Sequence, residues 1–269
     1  MPLDLRTTVR PVTRITGGHA ERVEDAIAVE RALEIRVAGR PLVVTLRTPG
    51  NDLELALGFL ASEGVVRHRA DVASCEERFA ACSDEPDVLD LELARGVVLD
   101  WTRFERHVVA SAACGLCGRA HIESLRAGLV PLPAPPPLDP SAIGRLPGRM
   151  RAAQVAFAAT GGLHAAALLD AALDEVRVLR EDVGRHNAVD KVCGWLVESA
   201  DYPSNRGVLW VSGRAGAEIV LKAARARIPV IAAVGAPSSL AIELAEAARL
   251  TLVGFVREGR MNVYCGGRT

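Results

Sequence analysis

The chain has 269 residues, of which 49% are hydrophobic and 24% charged, and its 32 basic residues nearly balance its 33 acidic ones. These values exclude a disordered or fibrous class, and they give no overall field that would attract nucleic acid or an anionic membrane surface. The length suits one large domain or two ordinary ones, and we favour two. Any anionic ligand must therefore be met by local basic groups.

The start of the chain contains no apolar segment of signal-peptide length, and no later run reaches the roughly 20 apolar residues that a membrane helix needs. We therefore expect a cytoplasmic protein. In such a protein the six cysteines are expected to be thiols rather than a disulfide framework. They are Cys75, Cys82, Cys114, Cys117, Cys193 and Cys265.

The first domain, residues 1–130, is predicted to be an α+β domain. Residues 31–47 alternate apolar and polar positions around a glycine turn, which predicts a hairpin, and helical spacing follows from Leu53 until Gly64. Strand-like segments that look antiparallel follow at 71–79, 88–94 and 104–111. After them we expect a loop up to Gly118 and a helix from Arg119 to Gly128.

The prolines of Pro131–Pro137 cannot lie inside a helix or a central strand, so residues 131–147 are predicted to be an extended linker. Residues 148–269 are predicted to be a layered α/β domain with a largely parallel edge. The predicted order is a helix at 148–158, strands at 163–169 and 175–180, a helix after Gly184–His186, a strand at 208–212, a helix at 217–227, a strand at 229–234, a helix at 238–249 and a strand at 250–256.

Cys114 and Cys117 are three positions apart, and each precedes a glycine, so both sulfur atoms can reach one point. A structural zinc site needs four ligands, and the remaining cysteines and histidines lack ligand spacing. A thioredoxin-like redox pair is the next alternative, although it usually stands in a βαβ context. A helix starting after Cys117, with basic neighbours, would lower a thiol pKa and favour a thiolate that accepts sulfane sulfur. Those neighbours are Arg106, His107, Arg119 and His121.

Five segments together resemble the FdhD/NarQ family of formate dehydrogenase accessory sulfurtransferases, and the resemblance covers nearly all of the chain from about residue 30. They are Cys114–Gly118, Thr160–His164, Arg180–Lys191, Ser212–Arg214 and Phe255–Arg260. The resemblance implies that Cys114 accepts sulfur as a persulfide from a cysteine desulfurase and passes it to the molybdenum cofactor for formate dehydrogenase. It implies that Cys117 resolves or relays this sulfur, and that the protein is a homodimer.

The resemblance also implies that the protein binds the bis(guanine dinucleotide) form of this cofactor. The matching residues are Phe255, Val256, Arg257, Glu258, Gly259 and Arg260. Arginine forks suit phosphates, and a phenyl face suits a flat ring. Gly213 and Arg214, at a strand end before a helix, either offer backbone N–H groups to a second phosphate or form only a turn. Gly184–His186 either hold an anion or cap their own helix.

For the C-terminal domain the resemblance implies a cytidine deaminase fold without its chemistry. The nearest match to the His-x-Glu motif is His186-Asn187-Ala188, and Ser212–Arg214 contains no cysteine, so no metal site is predicted. Two other functions remain open. A non-catalytic cofactor chaperone would need residues 255–260 but not Cys114. A redox or metal-binding regulator would need both cysteines but no nucleotide site.

Overall fold

The computed structural model describes residues 5–82, 85–104, 128–133 and 137–266, and within them the chain forms twelve strands and six α-helices. The strands are β1 Thr7–Thr16, β2 His19–Ala28, β3 Arg31–Val37, β4 Arg40–Arg47, β5 Val72–Arg78, β6 Asp87–Leu93, β7 His164–Leu169, β8 Val176–Asp182, β9 Val208–Val211, β10 Val230–Ala233, β11 Thr251–Arg257 and β12 Arg260–Cys265. The helices are α1 Asp52–Ser62, α2 Pro140–Ala153, α3 Val155–Thr160, α4 Arg185–Glu198, α5 Ala217–Arg225 and α6 Ser239–Ala248.

The C-terminal half is built on a six-stranded sheet with the order β12-β11-β10-β9-β7-β8. Strands β9, β10 and β11 are parallel, whereas β7, β8 and β12 pair antiparallel with their neighbours. Because β7 runs against β9, its first residue lies at the same edge as the carboxyl ends of the parallel strands. This carboxyl edge is where α/β folds with open sheets bind ligands.

Helices cover both faces of this sheet. On one face, Ala165 and Trp210 pack in a hydrophobic cluster with Ile143, Leu146 and Met150 of α2. On the other face, the intervening strand residues join a larger cluster that contains α4, α5 and α6. The central strands are buried on both sides, which is why they appear in the sequence as continuous apolar runs.

A smaller sheet with the order β4-β3-β6-β5 forms the next layer, and α1 lies between it and α4. Leu33 and Leu89 of this sheet belong to the same hydrophobic cluster as Leu57 of α1 and Val189 of α4. Within the described residues, the two halves of the chain therefore share one core.

Helices α1 and α4 approach each other so closely that two positions admit only glycine. A Cβ atom on Gly58 of α1 would lie 1.8 Å from the carbonyl oxygen of Asp190, and one on Gly194 of α4 would lie 1.8 Å from that of Glu54. These glycines allow backbone-to-backbone contact between the helices. The contact fixes how the N-terminal layer sits on the C-terminal sheet.

The structure confirms the predicted hairpin at 31–47, the helix from Leu53 and the alternation of strands and helices after residue 163. One prediction is wrong: β3 and β6 pair parallel, so the smaller sheet is mixed. A second correction concerns the linker predicted over 131–147. Helix α2 begins at Pro140, since Asp139 accepts a hydrogen bond from the Ser141 N–H and proline suits a first helical position. The division into two domains stays a prediction.

The sequence analysis missed one hairpin and one edge strand. Strands β1 and β2, of ten residues each, form a hairpin that is largely exposed, and β12 forms an edge strand. Neither has a buried face of its own with a clear alternation of apolar residues. The expected strand from 104 to 111 and the helix from Arg119 fall outside the described residues, except for Phe104 and Gly128.

Gly58→Ala should lower the free energy of unfolding by about 3 kcal/mol or more, because the new methyl group would overlap the backbone of α4. Denaturant unfolding followed by circular dichroism measures this change. Gly148→Ala in α2 is the matched control, since a Cβ there meets nothing within 4 Å. The control should shift stability by no more than about 1 kcal/mol, towards greater stability. Equal effects of the two substitutions would contradict the close approach.

Candidate functional site

The predicted persulfide cysteines, Cys114 and Cys117, lie outside the described residues. The described residues on either side are anchored to the core. Phe104 is buried, with its ring centroid 6.2 Å from that of Phe59 in α1, and the Leu132 N–H donates to the Ala248 carbonyl oxygen at 2.9 Å. The predicted cofactor-binding residues, in contrast, are all described.

The predicted cofactor-binding residues meet at the carboxyl edge of the six-stranded sheet. Gly213 and Arg214 follow β9, and the Gly213 carbonyl oxygen accepts a hydrogen bond from the Gly235 N–H at 2.9 Å. Gly235 in turn accepts one from the Phe255 N–H at 3.1 Å. The ends of β9, β10 and β11 thus form one continuous ridge, and two segments that are 41 positions apart in the chain become neighbours.

Phe255 is presented to solvent by a break in the pairing of β11 with β12. The register shifts between Gly254 and Arg257, and Phe255 has a φ of 52°, which is uncommon for a bulky residue. Gly254 beside it allows the close packing, since a Cβ there would lie 2.9 Å from the Tyr264 ring and 3.0 Å from Pro237. A strained backbone therefore holds a 38% exposed aromatic ring at the edge.

The other residues of this stretch have different positions. Val256 is fully buried against α2, so its side chain is not available to a ligand. Arg257 is exposed, but its Nη1 donates to the carbonyl oxygens of Val234 and Val256 at 2.8 Å each, which ties it to the ends of β10 and β11. Glu258, Gly259 and Arg260 form the exposed turn into β12. The two arginines thus differ, because Arg257 positions the backbone and Arg260 faces solvent.

The start of β7 and the start of α4 add further basic groups to this edge. A Cβ atom on Gly213 would lie 3.3 Å from Nδ1 of His164 and 3.9 Å from Cδ of Arg185. Ser212 fixes β7 beside β9, because its Oγ accepts from the Ala165 N–H at 2.9 Å. The sequence analysis gave Gly184–His186 a possible anion role but assigned none to His164. The reversed direction of β7 is the structural fact that places His164 here.

Both histidines at this edge have pKa values below the ordinary histidine value. For His164 the main cause is burial, followed by the positive charge of Arg185. For His186 the main cause is again burial, which outweighs the opposing effect of Glu218, and Arg185 acts in the same direction as burial. Burial and the neighbouring positive charge therefore both favour the neutral form of each ring.

The most recognisable run of the sequence, Arg180–Lys191, is used mainly to join the two halves. Asp182 is fully buried, and its carboxylate lies 2.7 Å from Nζ of Lys191 and accepts from the Thr48 N–H at 3.2 Å. Lys191 Nζ also donates to the Thr48 carbonyl oxygen at 2.9 Å. Asp182 Oδ1 accepts from the Gly184 N–H at 2.8 Å, which orients the first turn of α4.

Further charged residues of this run make similar contacts. Arg180 makes a two-pronged ion pair with Glu54 of α1, and Glu181 accepts from the N–H groups of Ala156 and Phe157 at the start of α3. Asp190 accepts from Lys222 Nζ at 2.8 Å and from Ser62 Oγ at 3.2 Å. Burial raises the pKa of Asp190 to about 6. Burial alone would lower the pKa of Lys222, but the charges of Asp190 and Glu218 and the hydrogen bond to Asp190 together raise it.

Other candidate sites are absent from the described residues or lie elsewhere. Residues 5–82, 85–104, 128–133 and 137–266 contain no group of three or more His, Cys, Asp and Glu side chains that could hold a metal ion. Among those same residues, no helix is long and apolar enough to cross a membrane. A cavity of about 310 Å³ lies beside α1, and none of the predicted site residues lines it; its walls include Arg31, Asp52, Phe79 and Glu198.

Comparisons with a family model and with known sequences point to the same family, and a solved structure shares the fold. The model of the FdhD/NarQ family matches residues 28–269. A protein named sulfur carrier protein FdhD from Streptomyces coelicolor is 47% identical over 97% of this chain and 94% of its own length, and one of the same name from Nocardia farcinica is 48% identical over 97% and 93%. A crystal structure titled as a formate dehydrogenase accessory protein from Desulfotalea psychrophila has a TM-score of 0.73 at 23% identity, covering 97% of both chains. This last likeness shows the fold.

Lys191→Met should lower the free energy of unfolding by about 3–5 kcal/mol, because it leaves the Asp182 carboxylate buried without its cation. Denaturant unfolding at pH 7 measures the loss. The double variant Lys191→Met/Asp182→Asn is the matched control, and it should recover a substantial part of that loss because no buried charge remains unpaired. A double variant no more stable than Lys191→Met would contradict this account of the pair.

Proposed function

Because the chain belongs to the FdhD/NarQ family, we propose that it is a sulfur carrier that acts as a sulfurtransferase in the maturation of formate dehydrogenase. Relatives that are 44–48% identical to this chain, over nearly their whole length, carry the name sulfur carrier protein FdhD. The sulfur donor in this proposal is a cysteine desulfurase, and the acceptor is the molybdenum cofactor in its bis(guanine dinucleotide) form. A cytoplasmic homodimer remains our expectation for its location and assembly.

Sulfur enters by transfer between cysteines. The Cys114 thiolate attacks the terminal sulfur of a persulfide on the desulfurase. The sulfur–sulfur bond of the donor breaks, the donor leaves as a thiolate, and a new sulfur–sulfur bond forms on Cys114. Because a thiolate is the attacking species, the basic residues predicted around the two cysteines favour this step.

Sulfur leaves when a second thiol attacks the inner sulfur of the Cys114 persulfide. If this thiol is Cys117, a Cys114–Cys117 disulfide forms and the terminal sulfur departs as hydrosulfide towards the molybdenum. An external dithiol then reduces the disulfide to return both thiols. The sequence spacing of three positions suits such a disulfide, and an external thiol can perform the same attack.

The cofactor, as the substrate that receives sulfur, binds in this proposal at the carboxyl edge. The observation that carries this assignment is the hydrogen-bonded ridge from Gly213 through Gly235 to Phe255. This ridge brings Arg214 and the Phe255–Arg260 stretch to one edge. A ligand with phosphates and flat rings needs basic and aromatic side chains close together in this way. Exposed Arg260 supplies a charged fork, and the Phe255 ring offers an apolar face.

Incubation with a cysteine desulfurase and cysteine should add one reducible sulfur atom to the peptide that contains Cys114. Peptide mass spectrometry detects this addition. Cys114→Ala should abolish it, whereas Cys75→Ala should not, although Cys75 is an exposed cysteine in the same half of the chain. An unmodified wild-type peptide in a protein that still binds guanine nucleotide would instead support a cofactor chaperone that moves no sulfur.

Arg260→Gln should weaken binding of guanosine diphosphate about ten- to hundredfold, because a hydrogen bond to a charged group contributes about 1.5–3 kcal/mol. Isothermal titration calorimetry measures the affinity. Arg22→Gln is the control, since Arg22 is also an exposed arginine on a strand but lies in the β1–β2 hairpin. An unchanged affinity in Arg260→Gln would remove this turn from the proposed site.

A further inference from the structure

The cavity of about 310 Å³ beside α1 contains none of the residues assigned to the carboxyl-edge site. Its lining includes residues from the start of α1, the end of β5 and the last position of α4. A volume of this size is at the lower limit for pockets that hold a ligand. The cavity is therefore a second candidate site, and the chemistry of its side chains indicates what it accepts.

One part of the lining is apolar and open to solvent. Phe79 is 66% exposed and Leu5 is 67% exposed, so the described part of the protein buries neither side chain. Phe79 directly follows β5, which is an edge strand of the smaller sheet and is exposed at residues 73–78. An extended segment of another protein can therefore reach the Phe79 ring along the free edge of β5.

Three of the five carboxylates in the lining are already neutralised by arginines. Asp87 lies 2.8 Å from Nη2 of Arg31 and 2.7 Å from that of Arg47. Asp52 lies 2.6 Å from Nη2 of Arg47, and Glu54 makes the two-pronged ion pair described above. These three carboxylates hold the fold together and need no further cation.

The other two carboxylates, those of Glu77 and Glu198, make no ion pair among the residues that the structure describes. Burial and the charge of Glu54 raise the pKa of Glu198 above the ordinary glutamate value. Glu198 also ends α4, whose last turn contains no basic residue, so its charge lies at the negative end of the helix dipole. A cation beside these two carboxylates would compensate for all three effects.

Asn51, at the start of α1, adds a polar group that the helix does not use. An asparagine in this position usually caps its helix through its side-chain oxygen. Here the residue has a left-handed backbone with a φ of 58°, and its exposed side chain makes no capping hydrogen bond. Because a side-chain amide can both donate and accept, Asn51 suits the peptide backbone of a bound segment.

We propose that this cavity is a docking site for a partner protein, which places one arginine side chain of an extended segment in it. The guanidinium pairs with Glu77 and Glu198, and its plane lies over the Phe79 ring. The apolar stem of the arginine packs on Leu5, and Asn51 bonds the peptide group. Arginine fits better than lysine, because its flat fork can serve two carboxylates and a ring at once. This docking site does not depend on the proposed function.

Two capped tripeptides test this assignment, one with arginine between two leucines and one with citrulline in its place. Citrulline keeps the shape of arginine but carries no charge, so the arginine peptide should bind at least about tenfold more tightly. Chemical-shift titration by nuclear magnetic resonance measures both affinities. Free arginine should bind more weakly than the tripeptide, because it has no flanking residues to contact Leu5 and Asn51.

Glu77→Gln and Glu198→Gln should each weaken binding of the arginine peptide about two- to fivefold, as expected for one solvent-exposed ion pair. The double variant should bind the two tripeptides equally. Glu76→Gln is the matched control, since Glu76 is also an exposed glutamate of β5 but its side chain lies on the opposite face of the strand. This control should leave the affinity unchanged.

Unfolding measurements separate docking from a structural role of Glu198. Because Glu198→Gln removes a charge from the negative end of α4, its free energy of unfolding should equal or slightly exceed that of the wild type. Weaker binding of the arginine peptide by the double variant, with normal binding by Glu76→Gln, supports the docking site. Equal affinities of the wild type for the two tripeptides, or no binding of either, overturn it. Free arginine that binds as tightly as the tripeptide also overturns it, in favour of a small-molecule site.

Discussion

The contact between α1 and α4 determines how the rest of the molecule is arranged. Gly58 and Gly194 let the two helices meet backbone to backbone, so α1 becomes a layer shared by both sheets. The turn before α1 is thereby brought within hydrogen-bond distance of Asp182 and Lys191. The same contact therefore orients the start of α4, from which Arg185 and His186 reach the carboxyl edge.

The run Arg180–Lys191 shows how one motif can serve two purposes. Arg180, Asp182 and Lys191 form ion pairs that are buried or partly buried, and pairs of this kind give little net stability because both charges lose their water. Their directional hydrogen bonds instead fix one orientation of the helix against the turn. Arg185 and His186, which face the edge, take no part in these contacts. Some residues of this run therefore hold the fold together, whereas Arg185 and His186 lie at the candidate site.

The sequence predicted the elements whose signals are local. The C-terminal strands and helices alternate with glycine turns, and each has the apolar pattern of a buried element. The parallel pairing of β3 with β6 joins distant segments, so no local pattern reports it. The β1–β2 hairpin has no continuous buried face, and His164 reaches the edge only because β7 runs against β9. Such features depend on topology, which residue spacing alone does not encode.

The strain at Phe255 follows from the burial of its strand. Residues Thr251–Gly254 are buried whichever way they face, because β11 has neighbours on both sides and helices above and below. Because both faces of such a strand are buried, none of its side chains can contact a ligand until the strand pairing ends. The bulge between Gly254 and Arg257 interrupts the pairing early, so that Val256 still fills the core while Phe255 turns outward. The positive φ of Phe255 is the conformational cost of this exposure, and it is offset by the hydrogen bond of its N–H to Gly235 and by the anchoring of Arg257.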